Sequence, residues 1–244
     1  MKHKERWKVY GNVFSEHSKR VLFKLSSQGY FEELESAISV GKEANVFTAK
    51  NKYDERIIVK IYRLENCNFK KMGDYLNSDP RYSGVINNKR QIVFTWTQRE
   101  YRNLLLARQY IKVPTPIAFK DNILLMEFIG DNDPAPELKD TNLKDPKRFL
   151  DDVFENIKIL YKNGIIHGDL SQFNILNYKD KPVFIDFSQA TVKESENAQL
   201  LLKRDIENIL IYFNKKYNIK LDFDVVYRKI ISQKSNRKNK SLIS

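Results

Sequence analysis

The sequence predicts an α+β fold in two lobes: an antiparallel five-stranded first lobe, then a mainly helical, truncated second lobe, with a helical extension in front. Three observations carry this expectation. Short strand-like stretches crowd residues 37–130, helical periodicity dominates after residue 136, and a turning linker over 131–136 separates the two regions. The expected units are an extension over 1–36, a first lobe over 37–130 and a second lobe over 131–244, forming a single domain.

From residue 4 to about 36, Trp7, Tyr10, Phe14, Val21, Leu22 and Leu25 recur at roughly helical spacing among charged residues, which predicts the extension. Strand character follows at 37–40, 45–49 and 56–62, broken by Gly41 and by a turn-like stretch over 51–55. The polar stretch over 66–88, with Gly73, Pro80 and Gly84, predicts a loop or partly mobile insert, a candidate flap. Helical periodicity returns over 93–110 and is stopped by Pro114 and Pro116, before strands at 117–120 and 122–128. The first lobe is thus expected to hold five strands and one helix. In the second lobe Pro146 suits a helix start, and Phe149, Val153, Phe154, Ile157, Leu160 and Tyr161 form an apolar stripe ending near Gly164. Strands at 175–178 and 183–187 precede helices at about 195–217 and 222–232.

Composition narrows the function classes. No apolar run is long enough to span a bilayer and the first residues lack a secretory hydrophobic stretch, so no membrane partner and a cytoplasmic location are expected. One cysteine, Cys67, and three histidines give neither a disulfide nor a zinc-ligand spacing. The net charge of +12 attracts polyanions; an RNA partner is one reading of it and plain solubility the other.

The densest chemistry lies in His167-Gly168-Asp169-Leu170-Ser171-Gln172-Phe173-Asn174, followed after a strand by Ile185-Asp186-Phe187. In phosphoryl transfer from a nucleotide, a loop Asp orients or deprotonates the attacking hydroxyl and an Asn five residues on helps hold Mg²⁺. Asp169 and Asn174 have that spacing. A second Asp just past a strand suits the metal that bridges the phosphates, and Asp186 is the candidate. His167 is assigned to bracing the loop. Upstream, Ser39 to Phe47 joins two expected strands, and backbone N–H groups beside Gly41 can cradle phosphates. Lys60 lies inside Ile57-Ile58-Val59-Lys60-Ile61, where a lysine needs an anionic partner. Period-two alternation puts Ile58, Lys60 and Tyr62 on one face, so that Lys60 reaches phosphates while Ile58 lies above an adenine. Glu100, on the first-lobe helix, is the expected partner of Lys60.

With these residues in hand, the chain resembles the Rio1 family of atypical kinases over nearly its whole length. Gly41-Lys42-Glu43-Ala44-Asn45-Val46, Val59-Lys60-Ile61-Tyr62-Arg63, Asp79-Pro80-Arg81-Tyr82, Trp96 with Glu100-Tyr101-Arg102-Asn103-Leu104, Met126-Glu127-Phe128-Ile129-Gly130 and Ala135-Pro136-Glu137-Leu138-Lys139-Asp140 all look like its signatures. The stretch before Gly41 is short for the winged-helix domain that marks the sister Rio2 family, so a compact, archaeal-type Rio1 member is expected.

The resemblance implies a protein-kinase-like fold, ATP with Mg²⁺ or Mn²⁺, and adenine binding along Met126, Glu127, Phe128 and Ile129. It also implies nucleotide contacts from Val40, Gly41, Lys42, Glu43, Ala44, Val46, Ile58, Lys60 and Glu100. Lys60, Asp169 and Asp186 become the catalytic residues, Asn174 and Asp186 the metal ligands, and Asp205 an anchor of the catalytic loop. Serine autophosphorylation and an ATPase-like cycle follow from the same resemblance, while the basic charge and the missing peptide-docking platform motivate an ATP-driven switch, as a monomer, on the precursor small ribosomal subunit and its rRNA. Two departures from the general kinase pattern stand out: Ile58 in place of the Ala of V-A-I-K, and Ser188 in place of the Gly of D-F-G. Neither an A-P-E motif nor a long activation loop follows Asp186. The competing readings are a small-molecule kinase of the aminoglycoside or choline type, a compact Bud32-like kinase, and an RNA-binding assembly factor regulated by nucleotide.

Overall fold

The computed structural model describes residues 14–65, 67–82 and 88–232. Helix α1 (Glu16–Ser27) starts at Ser15, whose hydroxyl accepts the Ser18 N–H. It stops at Gln28, because Gly29 adopts φ 81° and the Gly29 and Tyr30 N–H groups close on Ser26 O and Leu25 O. The helix expected to reach residue 36 therefore ends nine residues early, and 33–36 belong to a strand; the part expected over 4–13 lies outside the described residues.

Strands β1 (Glu33–Val40), β2 (Ala44–Lys50), β3 (Arg56–Tyr62), β4 (Pro116–Lys120) and β5 (Ile123–Glu127) form one antiparallel sheet in the order β1-β2-β3-β5-β4. Strand alternation sorts their side chains. Val59 pairs with Leu125 and packs with Phe47 against Val21, Leu22 and Leu25 of α1, whereas Ile58 and Lys60 pair with Met126 and Leu124 on the opposite, cleft-facing side. Asn122 ties α1 to the sheet, its amide donating to Ser18 Oγ and to Tyr62 O.

Within the insert over 66–88 the expectation of a loop is corrected. Helix α2 (Phe69–Asn77) forms there, N-capped by Asn68, with Met72 and Leu76 buried against Trp96 of α3 (Lys89–Ala107). Residues 66 and 83–87 are outside the described residues, and among the described ones the first lobe carries two helices besides α1 rather than one.

The second lobe is built on α4 (Pro146–Lys162), α5 (Ala198–Tyr217) and α6 (Phe223–Ile231). Asp145 caps α4 ahead of Pro146, and the stripe of Phe149, Val153, Ile157 and Leu160 meets Leu202, Ile206, Ile209 and Phe213 of α5 in the main core. Two short pairs complete it: β6 (Ile165–Ile166) with β9 (Thr191–Val192), and β7 (Ile175–Tyr178) with β8 (Lys181–Phe184). β8 ends at Phe184, short of the expected 187, because Asp186 takes a left-handed backbone (φ 60°, ψ 67°) and a 3₁₀ turn over Phe187–Gln189 follows. The two residues each of β6 and β9 are too few to leave a periodic signal.

Candidate active site

Between the lobes lies a cleft whose apolar wall comes from Ile38, Val46, Ile58, Met126, Ile129 and Leu176 and whose floor carries Lys60, Glu100, Asn174 and Asp186. Lys60 stands in the middle of the charges. Its ammonium donates to Glu100 Oε1 at 2.8 Å and sits 3.0 Å from Asp186 Oδ1. Burial works against that ammonium, but Asp186 and Glu100 outweigh it and hold the pKa above that of a free lysine. Glu100 is fully buried and its second oxygen accepts the Tyr62 hydroxyl. Both carboxylate oxygens are thus satisfied, as a charge in this setting requires.

The loop over 167–174 is held from below by α5. Asp205, fully buried, accepts the Gly168 and Leu170 N–H groups at 2.8 Å each, while burial pushes its carboxyl up to about 7 against those two bonds. Gly168 has φ 77°, and a Cβ there would sit 2.9 Å from Gln189 O, so glycine alone fits. His167 braces the loop as expected. Its Nε2–H donates to Ile185 O at 3.0 Å, which leaves Nδ1 to accept the Asp169 N–H at 3.4 Å and so fixes the neutral tautomer. Burial lowers its pKa to about 4. Asn174 donates to Asp169 O at 2.8 Å, which ties the two ends of the loop together.

Asp186 accepts the Ser188 N–H, and Lys60 with that bond outweighs burial to keep its carboxyl low. Asp169 behaves oppositely: burial, then repulsion from Asp186, push it up to about 6, with Arg204 and Lys71 opposing. The Asp186 carboxylate and the Asn174 amide oxygen form a hard-oxygen donor set that suits Mg²⁺ bound chiefly through phosphates and water. When bound, that ion would neutralise charge on the phosphates of ATP.

Not every expected residue borders the cleft. Val46, Ile58, Lys60, Glu100, Met126, Glu127, Phe128, Ile129, Asn174 and Asp186 do; Val40, Gly41, Lys42, Glu43 and Ala44 do not, and neither does Asp169, which lies beside Asn174 at the cleft edge. The Gly41–Ala44 turn is closed by Gly41 N–H on Ala44 O, and its Glu43 carbonyl accepts the Arg63 N–H. Ile38 and Ser39 of β1 take part instead.

Sequence reasoning also left residues without a role. Tyr62 orients Glu100. The Asn103 amide donates to Phe187 O and Ala190 O and accepts from Arg81, itself held by buried Asp79. Their presence among the signature peptides was the only signal in the sequence, since such long-range bonds follow no periodicity.

A two-lobed fold with a lysine–carboxylate pair, an Asp–Asn loop and a metal-type Asp over one cleft defines the class of protein-kinase-like phosphotransferases. Within that class the chain belongs to the RIO family: the RIO domain model matches residues 45–226. It is 38% identical over 214 residues to the RIO-type serine/threonine-protein kinase Rio1 of Methanocaldococcus jannaschii, covering 87% of this chain and 73% of the relative. Against the Rio1 kinase of Haloferax volcanii it is 35% identical over 218 residues, covering 88% and 75%. The human serine/threonine-protein kinase RIO1 matches at 33% over 208 residues, 82% of this chain but 37% of that protein. The Rio2 kinase ADP/Mg²⁺-phosphoaspartate complex from Chaetomium thermophilum superposes with TM-score 0.68 at 22% identity, covering 85% of this chain and 64% of that one, which shows the fold. The protein is a RIO-type serine/threonine kinase of the Rio1 branch.

Proposed function

We propose that this kinase is a Mg-ATP-dependent, autophosphorylating kinase and ATPase that acts as a switch in maturation of the small ribosomal subunit, in the cytoplasm. The observation that carries the chemistry is Lys60 held between Glu100 and Asp186 above the Asp169–Asn174 loop. Lys60 orients the α/β-phosphates, Asp186 and Asn174 are the metal ligands, and the adenine lies between Ile58 and the segment from Met126 to Ile129. Asp169 takes the proton of the attacking hydroxyl as its oxygen bonds to the γ-phosphorus and the bond to ADP breaks. In this reading the lobes divide near Gly130, next to the segment that would take the adenine.

The switch reading draws on two things: the catalytic set and the net charge of +12. The Chaetomium thermophilum Rio2 structure carries a phosphoaspartate, and for this chain we assign Asp186 as the carboxylate that accepts phosphate. Among the described residues no helix is long and apolar enough to cross a membrane. The test is incubation with γ-labelled ATP and Mg²⁺, alongside Asp169→Asn and Asp186→Asn, followed by acid and hydroxylamine treatment. Hydroxylamine-labile label that disappears in Asp186→Asn supports the ATPase switch, and acid-stable label supports serine phosphorylation. If the wild type binds ATP yet gives neither label nor free phosphate, the proposal fails.

A further inference from the structure

Arg204 precedes the loop anchor Asp205 on α5 and reaches three places at once. Its Nη2 donates to Gly168 O, lies 3.3 Å from the Tyr75 hydroxyl of α2, and stands 3.8 Å from Asp169 Oδ1. Tyr75 in turn packs edge-on to Trp96 of α3, with ring centroids 6.1 Å apart. A continuous chain of contacts therefore runs from the first-lobe helix, through the insert helix, to the catalytic loop.

The geometry at Asp169 gives this chain a purpose. Among the described residues its carboxylate accepts no side-chain hydrogen bond, and Arg204 is its ion-pair partner. A free guanidinium beside a carboxylate closes into a two-bond fork that occupies both oxygens. Such a fork would use one lone pair on each Asp169 oxygen, fix the carboxylate's direction and lower its basicity toward a substrate hydroxyl. Here the Gly168 carbonyl and the Tyr75 hydroxyl engage the same Nη2, and the guanidinium stops short of hydrogen-bond distance. It biases the direction of one oxygen by charge and leaves the other for the acceptor.

We propose that Arg204 is a positioning residue for Asp169, held at working distance by Tyr75, so that seating of the insert helix α2 tunes the acceptor side of phosphoryl transfer. The inference rests on Asp169 as the proton acceptor of the reaction. Lys60 and Asp186 make no bond to Arg204, Tyr75 or Trp96, and Asn174 meets the chain only through the Asp169 carbonyl, so ATP affinity is expected to change little.

The experiment compares wild type, Arg204→Met, Arg204→Lys, Tyr75→Phe, the Arg204→Met/Tyr75→Phe double variant and Asp169→Asn. It measures steady-state phosphorylation, ATP binding by calorimetry and thermal unfolding. Arg204→Met is expected to lower kcat about tenfold or more, with KM for ATP, ATP affinity and Tm little changed, and Arg204→Lys to recover part of the loss, as expected where orientation of a reacting group contributes. Tyr75→Phe should lower kcat several-fold, and the double variant should be no worse than Arg204→Met alone. The inference is overturned by an Arg204→Met kcat within twofold of wild type, by losses in kcat, ATP affinity and Tm together that lysine does not rescue, or by independent effects in the double variant. If Asp169→Asn itself keeps wild-type kcat, the underlying assignment of Asp169 falls; if Asp169→Asn is inactive while Arg204→Met is not, only the role of Arg204 falls.

Discussion

Asp186 is a non-glycine residue at φ 60°, in the left-handed region that L side chains adopt at a cost of about 1–3 kcal/mol. The surroundings hold it there: Lys60 faces its carboxylate, the Ser188 N–H closes back on it, and Asn103 grips the carbonyls of Phe187 and Ala190 just beyond. Opposite it His167 is buried and neutral, which has a thermodynamic signature. The unfolded imidazole takes up its proton near pH 6.5 and the folded one only at about pH 4. Between those values the unfolded chain holds more protons, so this residue's contribution to stability falls as pH drops, by on the order of 3 kcal/mol across the window. Denaturant unfolding of His167→Gln should therefore show a shallower loss of stability than wild type from about pH 6.5 to about pH 4; the same slope in both proteins would assign the acid sensitivity elsewhere.

Among the elements, α2 separates what the sequence showed from what it hid. Lys60 was legible because a lysine inside an apolar strand demands an anion, and the Asp169, Asn174 and Asp186 spacing was legible because metal-phosphate chemistry restricts it. Helix α2 was not, because its burial rests on Met72 and Leu76, a single i, i+4 pair, while Gly73 and Pro80 read as breakers. Tyr62 and Arg204 act across the fold through hydrogen bonds that no local pattern encodes. If α2 is a packed element rather than a flap, Leu76→Ala should cost about 2–5 kcal/mol in urea unfolding. A change under about 0.5 kcal/mol, the range of ordinary surface substitutions, would return the insert to loop status.

For the molecule as a whole, a charge of +12 sets how it meets a polyanion. Binding that neutralises roughly four phosphates of a single-stranded RNA weakens by tens of fold between about 50 and about 200 mM salt. Fluorescence anisotropy with RNA oligonucleotides should give that slope with or without ATP, and salt-independent binding, or none, would remove RNA contact from the proposed switch. One further property of the whole chain follows from Cys67. Its thiol is buried, donates to Arg63 O and has its pKa pushed up to about 11, so it offers almost no thiolate at neutral pH. Because it is the sole cysteine, a thiol-directed dye would ignore the native protein and report only from cysteines introduced at chosen surface sites. A pair of such labels, one on α2 and one on α5, would turn the distance between the lobes into an optical signal without any native residue having to be removed.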